Sequence, residues 1–181
     1  MESDFLMIET LRTRLVPFTE EHYAAIFAND NVRLGTLLYI PTPASWTEFS
    51  EAQEALPVLY EFFKMLKRDH RWGSYFIVSK EEKVLLGTCG YKGMPGTDHF
   101  VEIGYEINAA HQNKGYATEA AKALIEFAAA QNITGIRAHT LPEKNASCQV
   151  LERCNFSFAG EVIDPDDGLV WKWELITGTP A

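Results

Sequence analysis

Hydrophobic and polar residues alternate along several segments of the chain, which predicts β-strands. From Val101 to Ile107, every second residue is Val, Ile or Tyr, and the residues between them are Glu or Gly. This period of two is typical of a strand with one buried face. A charged turn at 80–83 separates two further apolar runs and predicts a hairpin over 74–91. Other strands are predicted over 7–18, with a turn-prone middle, and at 135–141, 156–162 and 170–175.

Two early segments favour helices. The hydroxyl of Thr19 and the two acids that follow it suit a helix start, so a short helix is predicted at 22–28. A longer helix is predicted over 45–70, where aromatic and aliphatic residues recur at helical spacing. We expect Ser45 to cap this helix and Pro57 to kink or divide it.

A helix is also predicted between two of the strands. In 115–130, Ala, Leu and Phe form one stripe, and polar residues lie off it. The step from the strand at 100–107 through this helix to the strand at 135–141 predicts a βαβ unit with two parallel strands and a right-handed crossover. A last helix is predicted at about 145–154.

The order of these elements predicts an α+β fold with a mixed, mostly antiparallel central sheet flanked by helices. It does not match a Rossmann fold. The chain has 181 residues and a mass of 20.4 kDa, which leaves little room for a second hydrophobic core. We therefore expect one domain over residues 1–181.

Composition and charge exclude several classes of protein. With 46% hydrophobic and 23% charged residues, the chain is typical of a globular domain rather than a disordered or disulfide-stapled one. Its formal charge of −9 disfavours nucleic acid as a partner, because duplexes are bound through basic surfaces. The N-terminus has no secretory pattern, and no apolar run approaches the roughly 20 residues that span a bilayer, so we expect no membrane association.

The cysteines indicate a reducing compartment. Cys89, Cys148 and Cys154 are odd in number and show neither a CxxC spacing nor a Cys/His cluster. This usage is typical of reduced thiols in the cytoplasm, and it offers no ligand set for zinc. We therefore expect a cytoplasmic protein without a metal site.

The loop at 112–118 carries the clearest chemical signal. It joins a strand to an alanine-rich helix, so its backbone N–H groups should converge at the helix N-terminus and bind an anion such as a pyrophosphate. Gly115 can adopt a left-handed conformation, and the small Ala117 allows a ligand to approach the main chain. The spacing Q-x-x-G-x-A matches neither GxGxxG nor GxxxxGK[ST], and a plain turn before a helix is the alternative. The candidate residues are Gln112, Asn113, Lys114, Gly115, Tyr116, Ala117 and Thr118.

Together with its flanking segments, the loop resembles the GNAT superfamily of N-acetyltransferases, in particular its RimJ/RimL-like branch. The resemblance lies in 101–128 (VEIGYEINAAHQNKGYATEAAKALIEFA), 141–156 (LPEKNASCQVLERCNF), 8–27 and 85–91, and so covers nearly the whole chain. It implies the GNAT fold and the transfer of an acetyl group from acetyl-CoA, the co-substrate, to a primary amine. The implied acceptor is a protein N-terminal α-amino group, as in ribosomal-protein acetylation, or a small amine.

The resemblance also implies how the coenzyme binds. The backbone of Asn113 to Thr118 would hold the pyrophosphate, and the pantetheine arm would pair with the strand end at Tyr105, Glu106 and Ile107. The thioester would enter a gap where neighbouring parallel strands splay apart after Gly104. Asn145 matches the family's Asn-x-x-Ser motif with one intervening residue before Ser147, and either binds the pantetheine or caps a helix; the two roles are compatible.

For the chemistry, the reaction needs a neutral amine, an oxyanion donor and a proton for the leaving thiolate. Many superfamily members carry a Tyr near the sulfur, but that position is Leu151 here, so the resemblance to the RimJ/RimL-like branch implies that Ser147 serves the thiol. Glu102 is the candidate base, with a solvated strand face as the alternative. It shares a face with Glu106 at a separation of about 13 Å. Asp166 is either an acceptor-side acid or part of an acidic turn.

The sequence says less about the acceptor amine and about protein partners. The segment between Tyr39 and Trp72 should form one wall of the acceptor pocket, with core packing as the alternative for most of its aromatics, above all Phe63. A non-catalytic coenzyme-A-binding regulatory module and a partner-binding domain are the competing functions, and a homodimer is compatible with all of them. The candidate lining residues are Tyr39, Trp46, Tyr60, Phe63 and Trp72.

Overall fold

The computed structural model describes residues 6–67, 69–165 and 167–178, and it has the predicted α+β architecture. An eight-stranded sheet has the strand order β1-β2-β3-β4-β5-β6-β8-β7. The central β5–β6 pair is parallel, and the other neighbours are antiparallel. The strands are β1 (Ile8–Glu9), β2 (Thr13–Pro17), β3 (Ser74–Ser79), β4 (Leu85–Tyr91), β5 (Phe100–Ile107), β6 (Gly135–Thr140), β7 (Ser157–Asp164) and β8 (Gly168–Ile176).

Helices cover both faces of this sheet. None of them, in the part of the chain that the structure describes, is long and apolar enough to cross a membrane. Single 3₁₀ turns lie at His70–Trp72 and Ala109–His111. The helices are α1 (Glu20–Phe27), α2 (Asn31–Leu38), α3 (Ser50–Glu54), α4 (Leu56–Met65), α5 (Tyr116–Ala130) and α6 (Ala146–Arg153).

Strand β3 separates two hydrophobic cores. Phe76 and Val78 pack in one cluster with α1, α2 and α4, while Tyr75 and Ile77 pack in the other. Because successive side chains of a strand point to opposite faces, the two clusters lie on opposite sides of the sheet. The first is rich in aromatic contacts, including the ring of Phe18 stacked on Phe76 with centroids 3.7 Å apart.

The second core holds α5 against the sheet. Ala120, Ala121, Leu124 and Ala128 are fully buried there, and three of these four are alanines, which let the helix backbone approach the strands closely. The hydroxyl of Tyr91 donates to the Leu124 carbonyl at 2.6 Å and ties β4 to this helix. The predicted βαβ unit is therefore present, with α5 between the parallel strands β5 and β6.

The predicted helix over 45–70 is wrong at its start. Residues 45–49 are not helical, so Ser45 does not cap a helix, and α3 begins at Ser50. The end is also earlier than predicted, because α4 stops at Met65 rather than at 70. Long-range contacts explain the difference at the start, because Thr47 donates to the Glu106 carboxylate at 2.7 Å and Glu48 accepts from the Ala109 amide at 2.8 Å. The division at Pro57 is confirmed, since this residue lies in the first turn of α4.

Helix α2 was not predicted from the sequence. It has eight residues with Gly35 in its middle, where a Cβ would lie 3.0 Å from the carbonyl oxygen of Ile40. Asp30 begins the helix by accepting a hydrogen bond from the Arg33 amide at 2.9 Å. A glycine in so short an apolar pattern gives a weak helical signal, and the packing that requires the glycine is not visible in the sequence.

Strands β5 and β6 diverge soon after they begin to pair. Their parallel ladder runs from Phe100–Gly135 to Glu102–Arg137 in the described structure. Beyond Glu102, β5 continues along β4 up to Ile107, and β6 continues along β8. The ladder thus ends two residues earlier than the expected divergence after Gly104. The divergence leaves one side of the carboxyl-terminal half of β5 without a β6 partner.

One buried histidine predicts a pH-dependent stability. His22 accepts a hydrogen bond from the Thr19 amide at Nδ1, and burial lowers its pKa to about 4 from an ordinary 6.5. As the pH falls below 6.5, His22 becomes protonated in the unfolded chain but stays mostly neutral in the native state until the pH approaches about 4. We expect the free energy of unfolding to fall by on the order of 2 kcal/mol between pH 7.5 and pH 5 through this group. Urea unfolding of His22→Gln should show a shallower pH dependence, and an unchanged slope would contradict this assignment.

Candidate active site

The loop between β5 and α5 has the geometry of an anion-binding turn. Asn113 and Gly115 have positive φ angles of 60° and 82°. Gly115 is the N-cap of α5 and supplies no side chain to bond the first amides of the helix. Those N–H groups have no carbonyl partner within the helix. The end of α5 can therefore donate several hydrogen bonds to an anion, which the helix dipole also favours.

Arg12 fixes this loop from the β1–β2 turn. Its guanidinium donates from Nη1 to the Lys114 carbonyl at 2.9 Å and from Nε to the Glu119 carboxylate at 2.7 Å. The same group lies 4.4 Å from the centre of the Tyr116 ring. Thr10 also donates to Glu119, at 2.6 Å. We call these bonds from Thr10 and Arg12 to Lys114 and Glu119 the clamp. It was not predicted, because nothing in the sequence indicates that the β1–β2 turn lies beside the start of α5.

The pKa of Glu119 is consistent with its bonds to Thr10 and Arg12. Burial alone would raise the pKa of this carboxyl, but the hydrogen bonds from Thr10 and Arg12 lower it below its usual value. Glu119 therefore stays ionised at neutral pH. An ionised carboxylate in the first turn of α5 holds Arg12 in place over the loop.

A first cavity of about 270 Å³ lies between this loop, the end of β5 and α6. Thr118 lines it, and the Oγ1 atom of this residue is buried without a partner in the described part of the chain. Arg153 and His111, which the sequence analysis did not single out, also line the cavity. Predicted residues on its wall are Tyr105, Glu106, Ile107, Gln112, Asn113, Gly115, Tyr116, Ala117, Thr118 and Ser147.

Three of the residues predicted to bind the coenzyme also form hydrogen bonds within the protein. The Asn145 side chain caps α6 by accepting from the Cys148 amide at 3.1 Å. The Gln112 amide donates to the Ile107 carbonyl at 2.9 Å, which occupies an oxygen at the end of β5. The Lys114 carbonyl accepts from Arg12. Lys114 and Asn145 lie outside the first cavity's wall, and Asn145 has the capping role that the sequence analysis offered as one of two.

Tyr105 spans the space between β5 and α6. Its hydroxyl donates to the Ser147 carbonyl at 3.1 Å. Burial raises the pKa of Tyr105, so the hydroxyl stays protonated at neutral pH and keeps this hydrogen bond. The bond places Ser147, in the first turn of α6, on the wall of the first cavity.

A second cavity of about 570 Å³ adjoins the first on the side of α3 and α4. The two cavities share Tyr105 and Glu106 as wall residues. Among the five aromatics predicted to line an acceptor pocket, only Trp46 lies on this wall. Tyr39 is 81% exposed, and Phe63 and Trp72 are buried in the two cores. Tyr60 bonds the Glu20 carboxylate at the surface.

Glu106 lies where the two cavities meet. Its Oε1 accepts hydrogen bonds from the hydroxyls of Thr47 at 2.7 Å and Thr88 at 3.1 Å. Burial raises the pKa of this carboxyl above its usual value, although both hydroxyls act in the opposite direction. The group is thus a carboxylate held in a fixed position with an increased affinity for a proton.

Glu102 has different surroundings. Its Oε1 lies 3.0 Å from His139 Nδ1 and 3.1 Å from Lys92 Nζ. It lies four residues before Glu106 on β5 and forms the last pair of the parallel ladder with Arg137. Glu106 thus lines both cavities, whereas Glu102 lines neither and is paired with Lys92 on the wall of the second. Asp166 lies outside the described residues.

A metal site is not apparent in the described residues, where three or more His, Cys, Asp or Glu side chains do not converge on one point. All of the cysteines are buried with free thiols.

Comparison with known proteins identifies the family. Residues 12–157 match the acetyltransferase (GNAT) domain, which covers both cavities and the loop between β5 and α5. The chain belongs to the GNAT acetyltransferase family. The GNAT resemblance stated from the sequence is thus confirmed, and the protein is an acyltransferase.

Relatives and solved structures agree with this GNAT membership. The chain is 29% identical to the N-acetyltransferase YjdG of Bacillus subtilis, over 83% of this chain and 89% of that protein. The fold resembles the ribosomal-protein-S5-alanine acetyltransferase of Vibrio fischeri, with a TM-score of 0.64 and 20% identity over 95% and 97% of the two chains. It also resembles RimL, the ribosomal L7/L12 α-N-protein acetyltransferase, in complex with coenzyme A, with a TM-score of 0.69 and 16% identity over 94% and 98%.

The loop geometry predicts that Gly115→Val abolishes coenzyme A binding. The left-handed φ of Gly115 strains any other residue, and a Cβ there would lie 3.4 Å from Arg12 Nη2, next to the clamp. Gly168→Val is the matched control, because Gly168, the first residue of β8, has a similar φ of 74° with open space around it. Calorimetric titration should show affinity in the control and at least a roughly hundredfold loss in Gly115→Val. Equal affinities in the two variants would refute the role of the loop.

Proposed function

We propose that this GNAT acetyltransferase transfers the acetyl group of acetyl-CoA to a primary amine. The observation that supports the proposal most strongly is the convergence of two features on the first cavity: the uncapped start of α5 and the side of β5 that β6 leaves open. A diphosphate and an amide-containing arm are bound by backbone groups of this kind.

The coenzyme would be held by the chain as follows. The backbone N–H groups from Asn113 to Thr118 donate to the diphosphate. Arg153 on the cavity wall contributes positive charge to an otherwise acidic protein. The backbone of β5 beyond Glu102 pairs with the pantetheine amides in place of β6. Acetyl-CoA supplies an activated acyl group with a thiolate leaving group.

Glu106, rather than Glu102, is the group we assign to the amine. In the reaction the bound ammonium first loses one proton and becomes a neutral amine. A bond then forms between its nitrogen and the acyl carbon, the carbon–sulfur bond breaks, and a second proton leaves the nitrogen while the thiolate gains one. Glu106 can accept the first proton directly or through one water, because it lies at the junction of the two cavities with a raised pKa. Glu102 is already bonded to Lys92 and His139.

Ser147 is the group we assign to the thiol. The leaving thiolate needs a proton or a hydrogen bond, and the Ser147 side chain is partly exposed on the wall of the first cavity. Tyr105 acts as a positioning residue, because its hydroxyl donates to the Ser147 carbonyl and so fixes the start of α6 against β5. Leu151, which stands where many relatives have a tyrosine, is fully buried and cannot serve this purpose.

The raised pKa of Glu106 predicts the pH profile. A protonated carboxyl cannot accept the amine proton, so kcat/KM should fall as the pH drops through a pKa that lies above the ordinary glutamate value of about 4.3. Glu106→Gln should lower kcat by about 10² or more and remove this acid limb. Glu102→Gln is the matched comparison and should keep the limb. The reverse result would return the proton-accepting role to Glu102.

Ser147→Ala should lower kcat while leaving coenzyme A affinity within about twofold. The substitution removes a hydroxyl that acts on the departing thiolate, whereas the bond from Tyr105 goes to the backbone carbonyl and is retained. Thiol release at saturating acetyl-CoA measures kcat, and calorimetry measures affinity. An unchanged kcat would show that the hydroxyl takes no part in thiol departure.

A further inference from the structure

The wall of the second cavity is mostly apolar. Trp46, Leu59 and Phe62 line it on the side of α3 and α4. The side chains of Cys89 and Tyr91 pack in the core on the opposite face of β4, so they do not point into this cavity. An occupant therefore contacts hydrocarbon and aromatic rings over most of its surface.

The charged groups on this wall are few. Among the described residues that line the second cavity, Glu106 is the sole carboxylate and Lys92 the sole cation. Lys92 is paired with Glu102 at 3.1 Å. The nearby Glu51 influences Glu106 electrostatically, but it lies exposed on α3 and is not part of the wall. The cavity can therefore neutralise one positive charge, at Glu106, and it offers no second carboxylate.

We propose that the acceptor is a molecule with one primary amine attached to an apolar aliphatic or aromatic group. The amine binds at Glu106, and the apolar group fills the space between Trp46, Leu59 and Phe62. Polyamines and aminoglycosides are disfavoured, because any additional ammonium group inside the cavity would be desolvated beside apolar walls without a counter-charge. This inference rests on the proposed acetyl transfer to an amine and on Glu106 as the group that receives it.

This chemistry has two sources, a free monoamine and the α-amino group of a peptide with an apolar first residue. The experiment uses the full chain with acetyl-CoA and measures thiol release. One arm compares 2-phenylethylamine with spermidine and kanamycin, and the other compares peptides that begin with Leu or Phe with peptides that begin with Ser or Asp. We expect kcat/KM to be at least about tenfold higher for the apolar member of each arm that is active.

A variant at the rim tests the charge argument. Val58 lines the second cavity, is 70% exposed on α4 and takes no part in the proposed chemistry. Val58→Glu adds the second carboxylate that a diamine needs, and Val58→Gln matches its size without the charge. We expect Val58→Glu to raise kcat/KM for spermidine at least about fivefold over Val58→Gln, with 2-phenylethylamine nearly unaffected.

The outcomes separate this inference from the proposed function. Preference for spermidine or kanamycin in the unmodified protein would overturn the inference and leave acetyl transfer to an amine intact. Equal spermidine turnover in Val58→Glu and Val58→Gln would overturn the claim that the lack of a second carboxylate is what disfavours polyamines. Absence of thiol release with every amine, while coenzyme A still raises the melting temperature, would overturn the proposed function and this inference with it.

Discussion

The early end of the parallel ladder between β5 and β6 is the constraint on which the site depends. Three residue pairs join the strands, from Phe100–Gly135 to Glu102–Arg137, and beyond them each strand follows its other neighbour. Backbone groups of a sheet are ordinarily paired on both sides, and an unpaired edge invites another strand or an extended ligand. Here that edge faces a cavity bounded by α5 and α6. The fold thus creates a place for a strand-like ligand at the centre of the sheet.

The alternation of side chains along β5 then organises the chemistry. Tyr105 reaches α6 on one face of the strand, and Glu106 reaches Thr47 and Thr88 on the other. Both residues lie on the walls of both cavities. A coenzyme in the first cavity and an amine in the second would meet at this pair. The contacts that fix the meeting point belong to segments far apart in sequence, since Thr47 precedes Glu106 by 59 residues.

Local patterns predicted the central elements well. The strand Phe100–Ile107 and the helix that follows it agree with their predicted bounds to within a residue, because a strict period of two and a long alanine stripe are strong local signals. The GNAT family could also be recognised from the sequence, since its motifs lie in these same elements. Segment 45–49 was predicted wrongly, because Thr47 and Glu48 make bonds to β5 and the loop after it that no local pattern shows.

The same limit applies to the choice between the two acids of β5. Glu102 and Glu106 share a face and a strand, and from the sequence Glu102 was the candidate base, while Glu106 was assigned to the strand end that pairs with the pantetheine arm. The partners of Glu102 are Lys92 and His139, whereas Glu106 is bonded by two hydroxyls beside the cavities. Arg12 was missed for a similar reason, because its bonds to Lys114 and Glu119 span more than a hundred positions. Residue types were visible in the sequence, but their surroundings required the fold.

The most direct measurement of the central claim is a crystal structure of the protein with acetyl-CoA bound. The account predicts diphosphate oxygens within hydrogen-bond distance of the backbone nitrogens of residues 113–118. It also predicts the sulfur in the space between the diverging strands, near Glu106 and Ser147. A diphosphate bound elsewhere on the surface, or an arm that does not run along β5, would contradict it.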